Sequence, residues 1–168
     1  MAGVTGKTAG VGKDILDYLE AVADFYGITI NVTSGKRSPD EQGKAMFDNW
    51  IKLKRGNVYK STALSDADKK TLDGYYVTAK EDDKASPADK KKAEDAFKKL
   101  AAEKVGKKSM HATGRAVDVP QAGLSPKAKK AILLVMKEVP EGRTDIHHFE
   151  SAKVPAVTDD LKAKWPAK

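Results

Sequence analysis

Apolar positions recur along this chain with two different periods, and the switches between them mark out its elements. From Asp14 to Tyr26, residues Ile15, Leu16, Leu19, Val22, Ala23 and Tyr26 repeat at helical spacing, with Asp14 as the expected cap and Gly27 as the stop. Ile28 to Thr33 then alternates at period two, which predicts a strand with Ile28, Ile30 and Val32 turned to the core. Beyond Ser38-Pro39 a second helix is expected over residues 40–53, started by Ser38 or Asp40 and striped by Ala45, Met46, Trp50 and Leu53. Ser86 as cap and Pro87 at the first helical position open a Lys/Glu/Ala-rich helix to about Val105, with Ala93, Phe97, Leu100 and Ala101 on its apolar side. Ser109 to Val119 reads as a histidine, a tight turn at Gly114 and a short strand. Ser125-Pro126 open another helix, striped by Ala128, Ala131, Ile132, Leu134, Val135 and Val139 and ended by Pro140 and Gly142. A last strand runs from Thr144 to Phe149, and the tail is expected to fold back through Leu161 and Trp165. The sum is an α+β domain with a small antiparallel sheet and helices packed mainly on one face.

Length and composition narrow the classes. The 168 residues suit a single domain, 1–168, large enough to bury a core without crosslinks. With 33% charged residues the surface must be heavily solvated, and no apolar run approaches the roughly 20 residues of a membrane span, so no stable membrane insertion is expected. Residues 1–12 are rich in Gly, Thr and Ala and are expected to be mobile. Gly6-Lys7-Thr8 lacks the earlier glycine and the preceding strand of a phosphate-binding loop. The start also lacks a basic-then-apolar secretory signal, so the chain either stays in the cytoplasm or is carried out by other machinery. Net charge is +7, but 31 basic residues are interleaved with 24 acidic ones and no basic aromatic platform appears, which argues against a nucleic-acid partner. A wall rich in phosphate and carboxylate would attract the same surface.

Cysteine is absent, which excludes disulfides and thiolate metal sites. Any metal must then be held by histidine and carboxylate, the donor types of hydrolytic zinc sites. The chain has three histidines, and all fall in two short segments, His111 in one and His147-His148 in the other. In the strand after Gly114, Ala116 and Asp118 share a face, so the His111 imidazole and the Asp118 carboxylate can return to one point. Taken alone, that segment fits a metal site or a surface histidine followed by a capping or ion-paired aspartate.

The pattern Ser109-x-His111-x-x-Gly114-x-Ala116-x-Asp118, followed by Asp145-x-x-His148-Phe149-Glu150, resembles the zinc peptidases of the D-alanyl-D-alanine carboxypeptidase and L-alanyl-D-glutamate endopeptidase family, which includes many phage endolysins. Ser34-Gly35-Lys36-Arg37-Ser38 is similar to that family's Ser-Gly-x-Arg-Ser turn. The resemblance covers residues 14–50 and 106–152 and implies a Hedgehog/DD-peptidase-like fold. It implies a zinc ion held by His111, Asp118 and His148, with Asp145 as the catalytic carboxylate or as a partner orienting a histidine. By the same resemblance Arg37 binds a substrate carboxylate or stabilises an oxyanion, and Ser109 contacts substrate or serves only a hydrogen-bonded turn. On a regular strand His147 points away from His148 and is expected to be structural, while Glu150 lies on the His148 face and orients it.

The implied substrate is bacterial peptidoglycan, cut at L-Ala-D-Glu in its stem peptides or trimmed at a D-Ala terminus. Such a chain acts in the periplasm or wall after release through a holin or delivery by a secretion system, where an immunity protein becomes a possible partner. A non-catalytic wall-binding module and a polyanion-binding protein are the competing readings; the presence of both Asp145 and Arg37 counts against the first. Arg37 and His111 stand much further apart than is usual in the family. Residues 57–105 therefore read as a charged, largely helical insertion, either passive or forming a wall of the cleft through Tyr75, Tyr76 and Phe97.

Overall fold

Strand β1 (Gly3–Gly6) pairs in parallel with β2 (Thr29–Val32), and helix α1 (Lys13–Tyr26) makes the crossover between them. The structure, a computed structural model, describes residues 2–52, 64–106, 108–140 and 145–168. Leu53, residues 57–63 of the expected insertion, the stop at Gly142 and the strand start at Thr144 lie outside them. Contacts divide the chain into two compact units, residues 1–36 with 113–168, and residues 37–112.

In the first unit, part of the stretch expected to be mobile forms β1, and the Val4 amide donates to Glu20 Oε2 at 2.7 Å. Its glycines and absent alternation hide that strand from a periodicity argument. Helix α1 begins as expected but without Asp14 as its cap: Gly12 holds that position and no side chain caps the helix. Ile15, Tyr18, Leu19 and Val22 are fully buried and pack in one cluster with Ile30, Val32, Val117, Val119, Ile132 and Phe149.

A three-stranded antiparallel sheet runs β3 (Ala116–Pro120), β5 (Ile146–Glu150), β4 (Lys137–Glu138). The α+β class expected from the sequence is the one found. Helix α5 (Pro126–Ile132) is shorter than the stripe to Val139 implied. After Ile132 the amides of Leu134 and Val135 bond three residues back, which tightens the chain into turns. Leu133 and Leu134 are thereby left exposed, Met136 turns inward, and β4 joins the edge of β5. After α6 (Asp159–Lys162) the tail folds back as expected. Trp165 is buried, its Nε1 donates to the Tyr18 hydroxyl at 3.0 Å, and that hydroxyl donates to the Ala131 carbonyl at 2.8 Å.

The second unit holds α2 (Pro39–Lys52), α3 (Asp66–Tyr76) and α4 (Pro87–Ala101), the last two each continued by one π-helical turn. Ser38 Oγ accepts from the Glu41 amide while Glu41 Oε2 accepts from the Ser38 amide, a reciprocal start for α2. Ser86 caps α4 as expected. Tyr76 and Phe97, expected to help form a wall of the cleft, form a core with Met46, Phe47 and Trp50 of α2, with Phe97 on the apolar side of its helix as the spacing implied. Phe97 is fully buried, with ring centroids 5.0 Å from Phe47 and 5.1 Å from Trp50. Gly43 permits this approach, since a Cβ there would meet the Lys98 carbonyl oxygen at 2.3 Å. Burial of one such ring stabilises by about 1.5–3 kcal/mol, so the segment after α2 packs as the other half of its core.

Candidate metal centre

Strand register is what delivers the first two donors. β3 and β5 pair with Asp118 directly opposite His148 and Val117 opposite Phe149. Alternation sends Val117, Val119 and Phe149 into the core, so Asp118 and His148 share the other face. The Asp118 backbone is held further: its amide donates to the Ser34 carbonyl at 2.8 Å, and its carbonyl accepts from the Thr33 amide at 2.9 Å.

His111 sits in the turns that precede β3. Ser109 Oγ accepts from the Ala112 amide at 3.1 Å, and the Arg37 amide donates to the His111 carbonyl at 3.2 Å. Gly114 makes the next turn at φ +69°, where a Cβ would lie 2.1 Å from the Gly10 carbonyl oxygen, so only glycine fits.

His111, Asp118 and His148 are 2%, 1% and 7% exposed, and each offers one ligand atom within 4.8 Å of the others. A carboxylate so buried requires compensation by hydrogen bonds or positive charge. His148 Nδ1 lies 2.8 Å from Asp118 Oδ1. Two imidazoles and one carboxylate suit a borderline cation such as zinc better than the all-oxygen shells of calcium or magnesium. The group can hold a metal ion.

The remaining candidates separate clearly. His147, on the opposite face from His148, is outside this group: its Nδ1 lies 2.6 Å from Glu138 Oε1, and Glu138 Oε2 lies 2.9 Å from Lys129 Nζ. Burial works against the Glu138 charge, but Lys129 and His147 outweigh it and hold the carboxyl below its ordinary range. Glu150 Oε2 is 3.5 Å from His148 Nε2. Asp145 is exposed just before β5, its carbonyl accepting from the Gln121 amide at 3.0 Å. Ser109 forms the hydrogen-bonded turn already described.

Two partnerships were not foreseen. Half-buried Arg37 donates from Nη1 to Oε1 of Gln42 at 3.1 Å, and Gln42 is only 3% exposed. A signal existed, because Gln42 stands four and eight residues before Met46 and Trp50 and so occupies the apolar stripe of α2. Arg115, between Gly114 and Ala116, forms a two-pronged pair with Asp14 at 2.5 and 2.8 Å and donates to the Ser151 carbonyl at 2.8 Å. The Asp14 carboxylate also accepts from the Val154 amide at 2.8 Å. Nothing in the spacing of Asp14 and Arg115 announces that pair.

No protein-family model, no curated protein and no solved structure matches the chain.

Proposed function

We propose that this protein is a zinc-dependent peptidase that hydrolyses peptidoglycan stem peptides, and specifically an L-Ala-D-Glu endopeptidase with a Hedgehog/DD-peptidase-like fold. The observation that carries the reading is the convergence of His111, Asp118 and His148, buried and within 4.8 Å, from two sequence segments that resemble one zinc peptidase family. A zinc ion, if held by His111, Asp118 and His148, would supply Lewis acidity toward the scissile carbonyl and a water activated near neutral pH.

The chain's own residues supply the rest. Asp145 takes the proton of the attacking water and delivers it to the leaving amine. Arg37 binds the carboxylate of the substrate next to the cleaved bond, its backbone tied to that of His111. Glu150 holds the His148 ring through Nε2. Ser109 shapes the turn that carries His111, and by the family resemblance it contacts the substrate peptide. The site of action is the cell wall, reached through a holin or a secretion system. No helix among the described residues is long and apolar enough to cross a membrane.

Mass spectrometry of purified muropeptides after incubation tests the proposal. Fragments split between L-Ala and D-Glu are the expected product. Loss of a terminal D-Ala would instead identify a D,D-carboxypeptidase, and unchanged muropeptides with retained binding would identify a wall-binding module.

A further inference from the structure

The end of α5 carries apolar side chains that the core does not take up. Leu133 and Leu134 are 41% and 47% exposed, while Ala128, Ala131, Ile132 and Met136 around them are buried. The Leu133 amide donates to the Lys129 carbonyl at 3.0 Å, and the Leu134 amide to the Ala131 carbonyl at 3.2 Å. Lys130 precedes Leu133 by three residues, a spacing that puts the two side by side on a helix. Lys127 and Lys130 are exposed, and the Lys137 side chain is 75% exposed with its Nζ 4.0 Å from Glu150 Oε1. Lys129 is taken by Glu138 at 2.9 Å. From Pro126 to Val139 four lysines stand against one glutamate.

Those charges call for an anionic partner, and the leucines call for one with an apolar interior. A second copy of the chain would bring lysines against lysines in an isologous contact. A folded protein partner needs roughly 800 Å² of fitted surface on each side, and the most exposed apolar part here is two side chains wide. A soluble polyanion offers the leucines nothing. A bilayer needs no shape match: lysines reach the phosphates of its headgroups while short apolar side chains enter the acyl boundary.

We propose that the Leu133-Leu134 turn is a reversible docking site for an anionic lipid surface, with Lys127, Lys130 and Lys137 at the headgroups and the two leucines beneath them. The contact goes beyond the peptidase reading and does not depend on it.

Flotation of the intact chain with vesicles of phosphatidylglycerol and phosphatidylcholine in equal parts, and with phosphatidylcholine alone, tests the proposal. Binding is expected to the anionic vesicles only. Leu133→Ser with Leu134→Ser should weaken it about tenfold, the scale of two partly inserted leucines. Lys127→Gln with Lys130→Gln should weaken it about thirtyfold, the scale of two charges at such a surface. All four side chains are exposed, so Tm should not change in either variant. Leu134→Trp reads the depth directly: lipids brominated on their acyl chains should quench the introduced indole and spare the buried Trp50 and Trp165. Absence of binding to the anionic vesicles, or an introduced indole that brominated lipid leaves unquenched, would overturn the proposal. A serine pair that binds vesicles as the parent does would also overturn it and mark a polyanion contact made through charge alone. So would a parent dimer that the serine pair converts to monomer, which would give the patch to a second copy.

Discussion

His148 Nδ1 lies 2.8 Å from Asp118 Oδ1, on residues that stand directly opposite each other across β5 and β3. The pair is therefore set by sheet register, and a slip of β5 by one residue would turn His148 to the core face and away from Asp118. His111 joins it to give three donor atoms within 4.8 Å, whereas His147 points to Glu138. His111→Ala and His148→Ala should purify without stoichiometric zinc, and His147→Ala should retain most of it. Metal analysis of the folded variants checks this, and a full equivalent of zinc in His111→Ala would refute the ligand set.

Asp145 stands at the start of β5, three residues before His148, with its backbone held by Gln121. Asp145→Asn should fold and bind zinc normally while turnover falls by roughly 10²–10⁴, the usual scale for a lost general acid–base. Near-parental turnover in the zinc-loaded variant would leave Asp145 an orienting role only.

The pair of Asp14 and Arg115 ties α1 to the start of β3 and, through Ser151 and Val154, to the segment after β5. The hydrogen bonds from Arg115 outweigh burial and hold the Asp14 carboxyl well below the usual carboxylate range. A carboxyl depressed in the folded state contributes stability that is fully present above its unfolded pKa and is lost as pH falls through the folded value. The contribution should thus be complete above about pH 5 and fade below about pH 4. Asp14→Asn should cost about 1–3 kcal/mol near neutrality and flatten the acid side of the stability curve. Denaturant melts at a series of pH values will show it; a slope identical to the parent's would rule out the pair as its source.

Sequence alone suggests that residues 57–105 can be exchanged for a short Gly/Ser linker without disturbing the site. The packing says otherwise, since Leu72, Tyr76 and Phe97 of α3 and α4 pack in one core with Met46, Phe47 and Trp50 of α2, and Arg37 and His111 belong to the same unit. The linker variant should lose cooperative folding of that unit and with it zinc binding. Phe97→Ala, which empties the centre of that core, should destabilise by about 3–5 kcal/mol. Differential scanning calorimetry distinguishes these outcomes, and a linker variant that melts like the parent and binds zinc would restore the picture of a passive insertion.

Much of the frame was legible because caps and periodicity act locally. Ser38, Ser86 and Gly27 mark helix ends wherever the rest of the chain goes, and the alternation of Val117 and Val119 with Asp118 orients β3 by itself. What stayed hidden depends on distant partners. β1 is a strand because β2 lies beside it, and Leu134 leaves its apolar stripe because β4 has a place on β5. Tyr76 and Phe97 were readable as aromatic, but not as the inner face of a core shared with α2. The three donors were legible as residues in motifs; their convergence required the register of β3 with β5 and the turns around Gly114.

The most direct test is to strip the protein with a chelator and titrate zinc back while following muropeptide cleavage. The account predicts that hydrolysis stops on chelation and returns linearly to a break at one zinc per chain, and that His148→Ala never recovers. Cleavage that persists unchanged after complete removal of metal, or a fully loaded parent that leaves muropeptides intact, would contradict it.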